Sequence, residues 1–490
     1  MPGPFHLSPI LSCLFVTASF LLFSIGLEGK IGVEGSDLME ENMVVNGEIL
    51  TSWVKKKEYK NIRHFFDETN IVDAAMLVDE LGSEDILHLF KIVRKDIGAE
   101  LLSYLSTDTI EHLTINLNLE QIQSLMEELY SDDLNEILSE LPDELVTKVL
   151  QAATPELRKQ INEFLSYEES SCGSIMSVDF VTLKQTNTVA QAMRTIRKQG
   201  KLAETINVCY VVDENKKLVG SISLKDILFA KEESIIEEIM EHDIHYVYTQ
   251  EDQEEAAKLI SKYDITSLPV IDSTKTVLGI ITVDDILDVV EEEATEDIHK
   301  MGGMTPLDGS YVESSTQSII MSRLPWLLVL MISATFTGSI ISNNQEILVL
   351  LPSLAIFIPM LMDTAGNAGS QASAMVIRGL VVDDMGVKDF IKILIKETQV
   401  SVLLGIVLFI INTLRIGFFM PNVGWGIAIL VSLTIFITIL LANLVGGALP
   451  LLALVLKQDP ASMAAPLITT LVDALSLTTY FLIASYFLRL

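Results

Sequence analysis

One carboxylate, Asp473, lies inside the apolar run Leu467 to Leu475, in a stretch long enough to cross a bilayer as a helix. An ionised carboxylate is costly in hydrocarbon unless water or a cation reaches it, and no basic residue of an apolar run stands at comparable depth. Two readings follow: a cation site in a wet conduit, or a buried acid kept neutral. A second group is Asp363-Thr364-Ala365-Gly366-Asn367-Ala368-Gly369-Ser370-Gln371, preceded by Pro352 and Pro359. Asn367 and Gln371 are one turn apart, on one face. Proline and glycine here predict a broken helix whose freed carbonyls line water, bind an ion or meet other protein groups. A close-packed contact of small residues fits the same string. Asn443-Leu444-Val445-Gly446-Gly447-Ala448-Leu449-Pro450 carries the same divided reading, and Asp459-Pro460 is expected at the mouth of the last span.

These residues need apolar helices to hold them. From about Ile319 to Leu490, apolar runs of roughly 18 residues or more predict five spans, near 324–342, 347–377, 390–416, 425–452 and 462–488. The longer ones predict tilt, kinks or extension beyond the bilayer. Arg323, Arg378, Lys388, Lys392, Lys396 and Lys457 fall on one side by alternation, leaving Arg415 and Arg489 on the other. The basic side is expected to be cytosolic, which places the N-terminal half there too.

That half is strongly acidic. From Ile319 onward acids and bases are equal in number, so the whole net charge of −33 sits on the chain before it. Such a surface repels nucleic acid and suits cations, although solubility alone also explains it. Cys13, Cys172 and Cys209 form neither a disulfide framework nor a C-x-x-C pair, as in a reducing compartment. Residues 55 to 165 show helical spacing, as in Ile86-Leu87-Leu89-Phe90, with starts predicted at Ser83-Glu84-Asp85, Ser131-Asp132-Asp133 and Pro142-Asp143-Glu144. A solenoid-like all-helical domain is expected.

An internal repeat follows. Tyr210-Val211-Val212-Asp213 and Leu218 to Leu228 recur further along the chain as Leu268 to Asp272 and Val277 to Leu287. Each copy predicts strand, turn, strand, then a helix opened by Ser or Thr with Asp three residues on. This resembles the CBS motif, with Gly173-Ser174-Ile175-Met176 and Glu238-Ile239-Met240 as the two starts. The resemblance implies a paired module whose clefts take ATP or another adenine nucleotide in many relatives, with Asp226 and Asp285 near the ribose. Beyond it, Asp284 to Lys300 reads as a dense acidic helix.

The order of these parts resembles the MgtE family of magnesium channels or transporters. Its most specific pieces are Thr295-Glu296-Asp297-Ile298-His299-Lys300, Gly366-Asn367-Ala368-Gly369-Ser370-Gln371, and Asp459-Pro460 followed by Asp473. The resemblance implies a multidomain membrane protein: an acidic all-α domain over 39–168, a tandem CBS α/β module over 169–297, a linking helix over 298–322 and a five-helix pore domain over 323–490. Residues 1–38 have no counterpart in that pattern and read as an extra anchor or an upstream start. It implies a homodimer in the cytoplasmic membrane, with a pore on the twofold axis. Asp473, Asn367, Gln371, Asn443, Asp459 and Asp363 would then face the conducted Mg²⁺. Regulatory Mg²⁺ would bind at Asp264 and Asp288, at Asp285 facing Asp132 and Glu136, and at Glu293, Glu296 and Asp297, closing the pore.

The alternative is a CBS-regulated carrier of another divalent ion such as Mn²⁺, Co²⁺ or Ni²⁺, which the same oxygen donors suit. An enzyme is disfavoured: the membrane half offers no nucleophile elbow, phosphate loop or His-rich metal motif, and no catalytic residues are expected.

Overall fold

The computed structural model describes residues 45–307, 311–312, 314–382, 385–463 and 465–488. The apolar segment expected over 1–38 lies outside the described residues. The chain forms two compact units, one of residues up to 129 with 141–152, the other of 130–140 with 153–490.

The first unit is all helical: α1 (Gly47–Lys56), α2 (Tyr59–Glu68), α3 (Ile71–Asp79), α4 (Ser83–Phe90), α5 (Lys95–Leu102), α6 (Thr107–Asn116), α7 (Leu119–Met126) and, after an excursion, α9 (Asp143–Ala152). Each is only two or three turns long, too short to persist alone, and is held by apolar side chains such as Leu50, Ile62, Leu89, Leu101 and Leu113 that are buried outright. Asn46, Asn70 and Asn118 cap α1, α3 and α7 through their side chains. The predicted start at Ser83 has the right place but not the capping role, since Gly82 is the residue outside the helix and no side chain caps it. Lys148 Nζ closes the end of α6 by donating to the carbonyls of Thr114, Ile115 and Leu117 at 2.7, 2.9 and 3.0 Å.

The second unit begins with α8 (Ser131–Glu140) and α10 (Pro155–Phe164) and continues into the repeat. Its first copy holds β1 (Thr182–Lys184), α11 (Val189–Gln199), β2 (Val208–Val212), β3 (Leu218–Ser223) and α12 (Leu224–Phe229); α13 (Ile236–Ile239) leads to the second. There stand β4 (Val247–Tyr248), α14 (Gln253–Tyr263), β5 (Ser267–Ile271), β6 (Val277–Thr282) and the long α15 (Val283–Met301). Both three-stranded sheets run in order, the first pair parallel and the second antiparallel. The copies are exchanged at their edges. Gly279 leaves room for Met176, whose Cγ lies 2.8 Å from where a Cβ would stand, and Gly220 does the same for Met240, whose Cγ lies 2.9 Å away. Tyr210, 1 % exposed, donates or accepts across the two sheets at 2.9 Å from Ser267 Oγ. Cys172 and Cys209 are both free and buried. Burial pushes their thiols up to about 12 and about 11, so neither is a ready thiolate.

The helix expected over 298–322 is divided. Its start is the last turn of α15, its end belongs to α16 (Thr316–Asn343), and no helix lies between them among the described residues. The turn is made at Gly303, with φ of +69°, where a Cβ would stand 2.9 Å from Pro466 and closer still to the Trp326 ring.

Then come α17 (Gln345–Leu350), α18 (Ile358–Val382), α19 (Phe390–Phe419), α20 (Trp425–Val455) and α21 (Ala465–Leu488). Among the described residues, four segments are long and apolar enough to cross a membrane: Thr316–Asn343, Val387–Phe419, Trp425–Val455 and Pro460–Phe487. The expected second span, 347–377, is not one helix. Pro352, which has no N–H to donate, ends α17 in a turn of 3₁₀ helix over Pro352–Phe357 before α18 starts. Tyr480 Oη donates to the carbonyl of Leu354 at 2.9 Å and so fixes this break. α18 carries Asp363, Asn367, Ser370, Gln371 and Ser373, and packs against both α20 and α21. Of the two readings of Gly366 and Gly369, a broken helix and a close-packed contact, the continuous α18 favours the second. The glycines serve close packing: a Cβ on Gly446 of α20 would stand 3.0 Å from the Gly369 carbonyl carbon and nearer its oxygen.

Candidate functional site

Two sets of carboxylates stand apart in the second unit. In the membrane helices, α18 presents Asp363, Asn367 and Gln371 as an exposed stripe with a four-residue spacing, while Gly366 and Gly369 face inward. Asn367 Nδ2 donates to Asp363 Oδ1 at 3.2 Å. The absent side chain at Gly366 lets α21 approach: a Cβ there would lie 3.1 Å from Thr469 Cγ2 and 3.8 Å from Asp473 Oδ1. Asp473 is half-buried and its charge is opposed by that of Asp363. No Lys or Arg pairs with either among the described residues. Asn443 is 3 % exposed in α20, with Oδ1 lacking a hydrogen-bond partner among the described residues. Asp363, Asn367 and Asp473 therefore lie near one another, and Gln371 stands one turn further along the same face of α18.

The second set joins α8 to the repeat. Asp132, Glu204 and Asp285 each offer a carboxylate oxygen, all within 4.8 Å of one another. Their placement follows from Asp179. Its Oδ2 accepts from the Ser131 N–H at 3.0 Å and its carbonyl accepts from the Glu204 N–H at 2.9 Å. Ser131 Oγ, expected to cap its own helix, accepts instead from the Val178 N–H at 2.8 Å, and Asn135 donates to the Ser174 carbonyl. Thr282 donates from N and Oγ1 to Asp285 Oδ2 at 3.1 and 2.7 Å, leaving the other oxygen available. Burial, then the charges of Glu204, Asp285 and Asp133, push the Asp132 carboxyl up. Burial also raises Glu204, and it moves Asp285 up to about 7, with Glu204 adding to the shift. Asp132 Oδ1 and Glu204 Oε2 are buried without a hydrogen-bond partner among the described residues. Three crowded carboxylates with spare oxygens fit a hard divalent cation such as Mg²⁺.

The remaining candidates disperse. Glu136 is exposed, within electrostatic range of Asp288 and Glu292. Glu293 accepts from Gln253 Nε2 at 2.8 Å. Lys300 Nζ bridges Glu296 at 2.6 Å and Asp459 at 2.7 Å, joining α15 to the 3₁₀ turn Pro460–Met463. Asp459 is thus ion-paired rather than free. Burial, then the nearby Asp459, raises the Asp297 carboxyl to about 6. Asp264 is exposed at the end of α14 with φ of 51°. Asp226 accepts from Ser223 Oγ at 2.5 Å, the counterpart of the Thr282 and Asp285 pair.

With both sets placed, the chain can be set beside known proteins. A family model described as a divalent cation transporter matches residues 358–483, the MgtE intracellular N domain matches 69–170, and CBS domains match 172–233 and 236–292. The magnesium transporter MgtE of Thermus thermophilus is 33% identical over 458 residues, covering 92% of this chain and 100% of that one. The chain belongs to the MgtE family. MgtE of Bacillus subtilis is likewise 33% identical, over 433 residues, 86% of this chain and 95% of its own. Among solved structures, the cytosolic domain of the Mg²⁺ channel MgtE in complex with ATP is 32% identical, with a TM-score of 0.47 over 50% of this chain and 99% of that one.

Sequence reasoning misses Glu204 in this MgtE chain. It lies between α11 and β2, outside any periodic pattern, and reaches the site only because Asp179 holds its backbone. Lys300 belongs to a motif visible in the sequence, but its tie to Asp459 needs the fold.

Proposed function

We propose that this protein moves Mg²⁺ across the cytoplasmic membrane and that cytosolic Mg²⁺ closes it. The observation that carries the proposal is the unpaired Asp473, beside Asp363 and the exposed stripe of α18. Mg²⁺ gives up its waters reluctantly, so carboxylate and amide oxygens at this spacing would hold it as a hydrated ion. A homodimer with the stripe on its twofold axis would present each donor twice. Asp132, Glu204 and Asp285 form the proposed regulatory site, with Glu136, Asp264, Asp288, Glu293, Glu296 and Asp297 on the surrounding acidic surface. Metal there would relieve the repulsion among them and draw α8 onto the repeat. The N-terminal and CBS parts would face the cytosol, where Asp226 and Asp285 open helices suited to a nucleotide ribose. ATP in the solved MgtE cytosolic domain supports that last assignment.

Transport of Mn²⁺, Co²⁺ or Ni²⁺ is the second reading, favoured by an all-oxygen donor set and by a family described as divalent cation transporters. The test is Mg²⁺ flux into proteoliposomes. Asp473→Ala should lower it at least about ten-fold while the protein stays folded. Unchanged flux would remove Asp473 from the pathway, and Mn²⁺ entering faster than Mg²⁺ would favour the second reading.

A further inference from the structure

A shallow cleft of about 180 Å³ opens between α18, α19 and α20. Met360, Leu408, Ile411 and Ile435 make it apolar, and Arg415 stands at one end. The arginine is held in place. Asn412 Oδ1 accepts from its Nε at 3.2 Å and its Nη2 at 2.8 Å, and Nη2 also reaches Met360 Sδ at 2.8 Å. Asn412 is itself 6 % exposed, and its amide donates to Ser432 Oγ at 2.9 Å. Guanidinium has five N–H donors, so several stay open, and no carboxylate pairs with it among the described residues.

The depth of this cation can be read from its neighbours. Trp425, in the first turn of α20, packs on Gly417 and meets the Phe418 ring edge-on at a centroid distance of 5.7 Å. Aromatic pairs of this kind sit at the boundary between hydrocarbon and headgroups. Arg415 is two residues before Gly417, about 3 Å along the helix, so it lies at the same level. Leu408 is seven residues further in, about 10 Å toward the hydrocarbon. A fixed cation at headgroup depth, above an apolar groove, matches one end of a phospholipid.

We propose that this cleft binds one phospholipid, from the leaflet at the end of α19 opposite Lys388, Lys392 and Lys396. Its phosphate pairs with the Arg415 guanidinium in charge-assisted hydrogen bonds, and an acyl chain lies along Met360, Leu408 and Ile411. A free phosphate ion would leave the apolar wall unused. Phosphatidylglycerol is favoured over phosphatidylcholine, whose choline cation offsets the phosphate charge. The site rests on the membrane reading of α18 to α20 and is independent of whether Mg²⁺ is the conducted ion.

Native mass spectrometry of the full-length protein, titrated with phosphatidylglycerol or phosphatidylcholine, tests it. The unaltered chain should retain one phosphatidylglycerol more than Arg415→Gln, with binding at that site about ten-fold weaker in the variant. Ile435→Trp keeps the arginine but fills the groove, and should lose the same lipid. Equal lipid counts in all three proteins would overturn the proposal. So would displacement of the lipid by inorganic phosphate, or variants that lose subunit association and keep the lipid.

Discussion

At the proposed regulatory site, Glu204 would decide how tightly an ion is held. It completes a group of three carboxylates, and its Oε2 has no hydrogen-bond partner among the described residues. Glu204→Gln keeps the shape and removes one charge, so Mg²⁺ affinity of the N-terminal and CBS region should fall about ten-fold, or ~1.4 kcal/mol, by titration calorimetry. Protons compete for the same oxygens. Burial moves Asp285 from 3.8 to about 7, so between those values the folded chain keeps a proton that the unfolded chain has released. Without metal, this group's contribution to stability therefore falls as pH rises from about 4 through 7. Metal needs the ionised form, so apparent Mg²⁺ affinity should climb as pH rises from 6 to 8. Thermal unfolding at a series of pH values from 4 to 8, with and without Mg²⁺, reads both signs; an affinity flat from pH 6 to 8 would sink the assignment. Asp132 and Asp285 are named in the sequence only through the resemblance to the family. Glu204 is not, because its place depends on a loop backbone held by Asp179, which precedes the whole of β1 and α11.

Helices divide the legible from the illegible in the same way. Apolar length alone locates α16, α19, α20 and α21, since crossing hydrocarbon demands long runs and few charges. It overruns at α17 and α18, where Pro352 breaks the backbone but the hydropathy carries on. It also leaves open whether the glycines of α18 interrupt a helix or tighten a contact, a matter settled by which neighbour lies opposite. Gly369 and Gly446 touch backbone to backbone, so any side chain must push α18 and α20 apart. Gly446→Ala should lower the stability of the membrane helices by about 1–3 kcal/mol, seen as a lower midpoint in detergent-induced unfolding. A variant as stable as the parent would mean that the two helices slide freely.

Across the whole molecule, acidity before Ile319 and neutrality after it match a division of labour between sensing and conduction. Millimolar Mg²⁺ should slow tryptic cleavage of the acidic half several-fold, as bound cations replace repulsion with bridging. Indifference to Mg²⁺ would count against a sensor. The repeat itself is legible in residue order, and both copies fold as expected, with Ser223 and Thr282 opening the helices after β3 and β6. Their mutual dependence is not, because each start methionine sits on the glycine of the other copy. Neither half is a finished object. A protein cut down to one copy would expose a vacant notch and an unhoused thioether side chain, each the complement of the other, and two such fragments would satisfy both by trading arms.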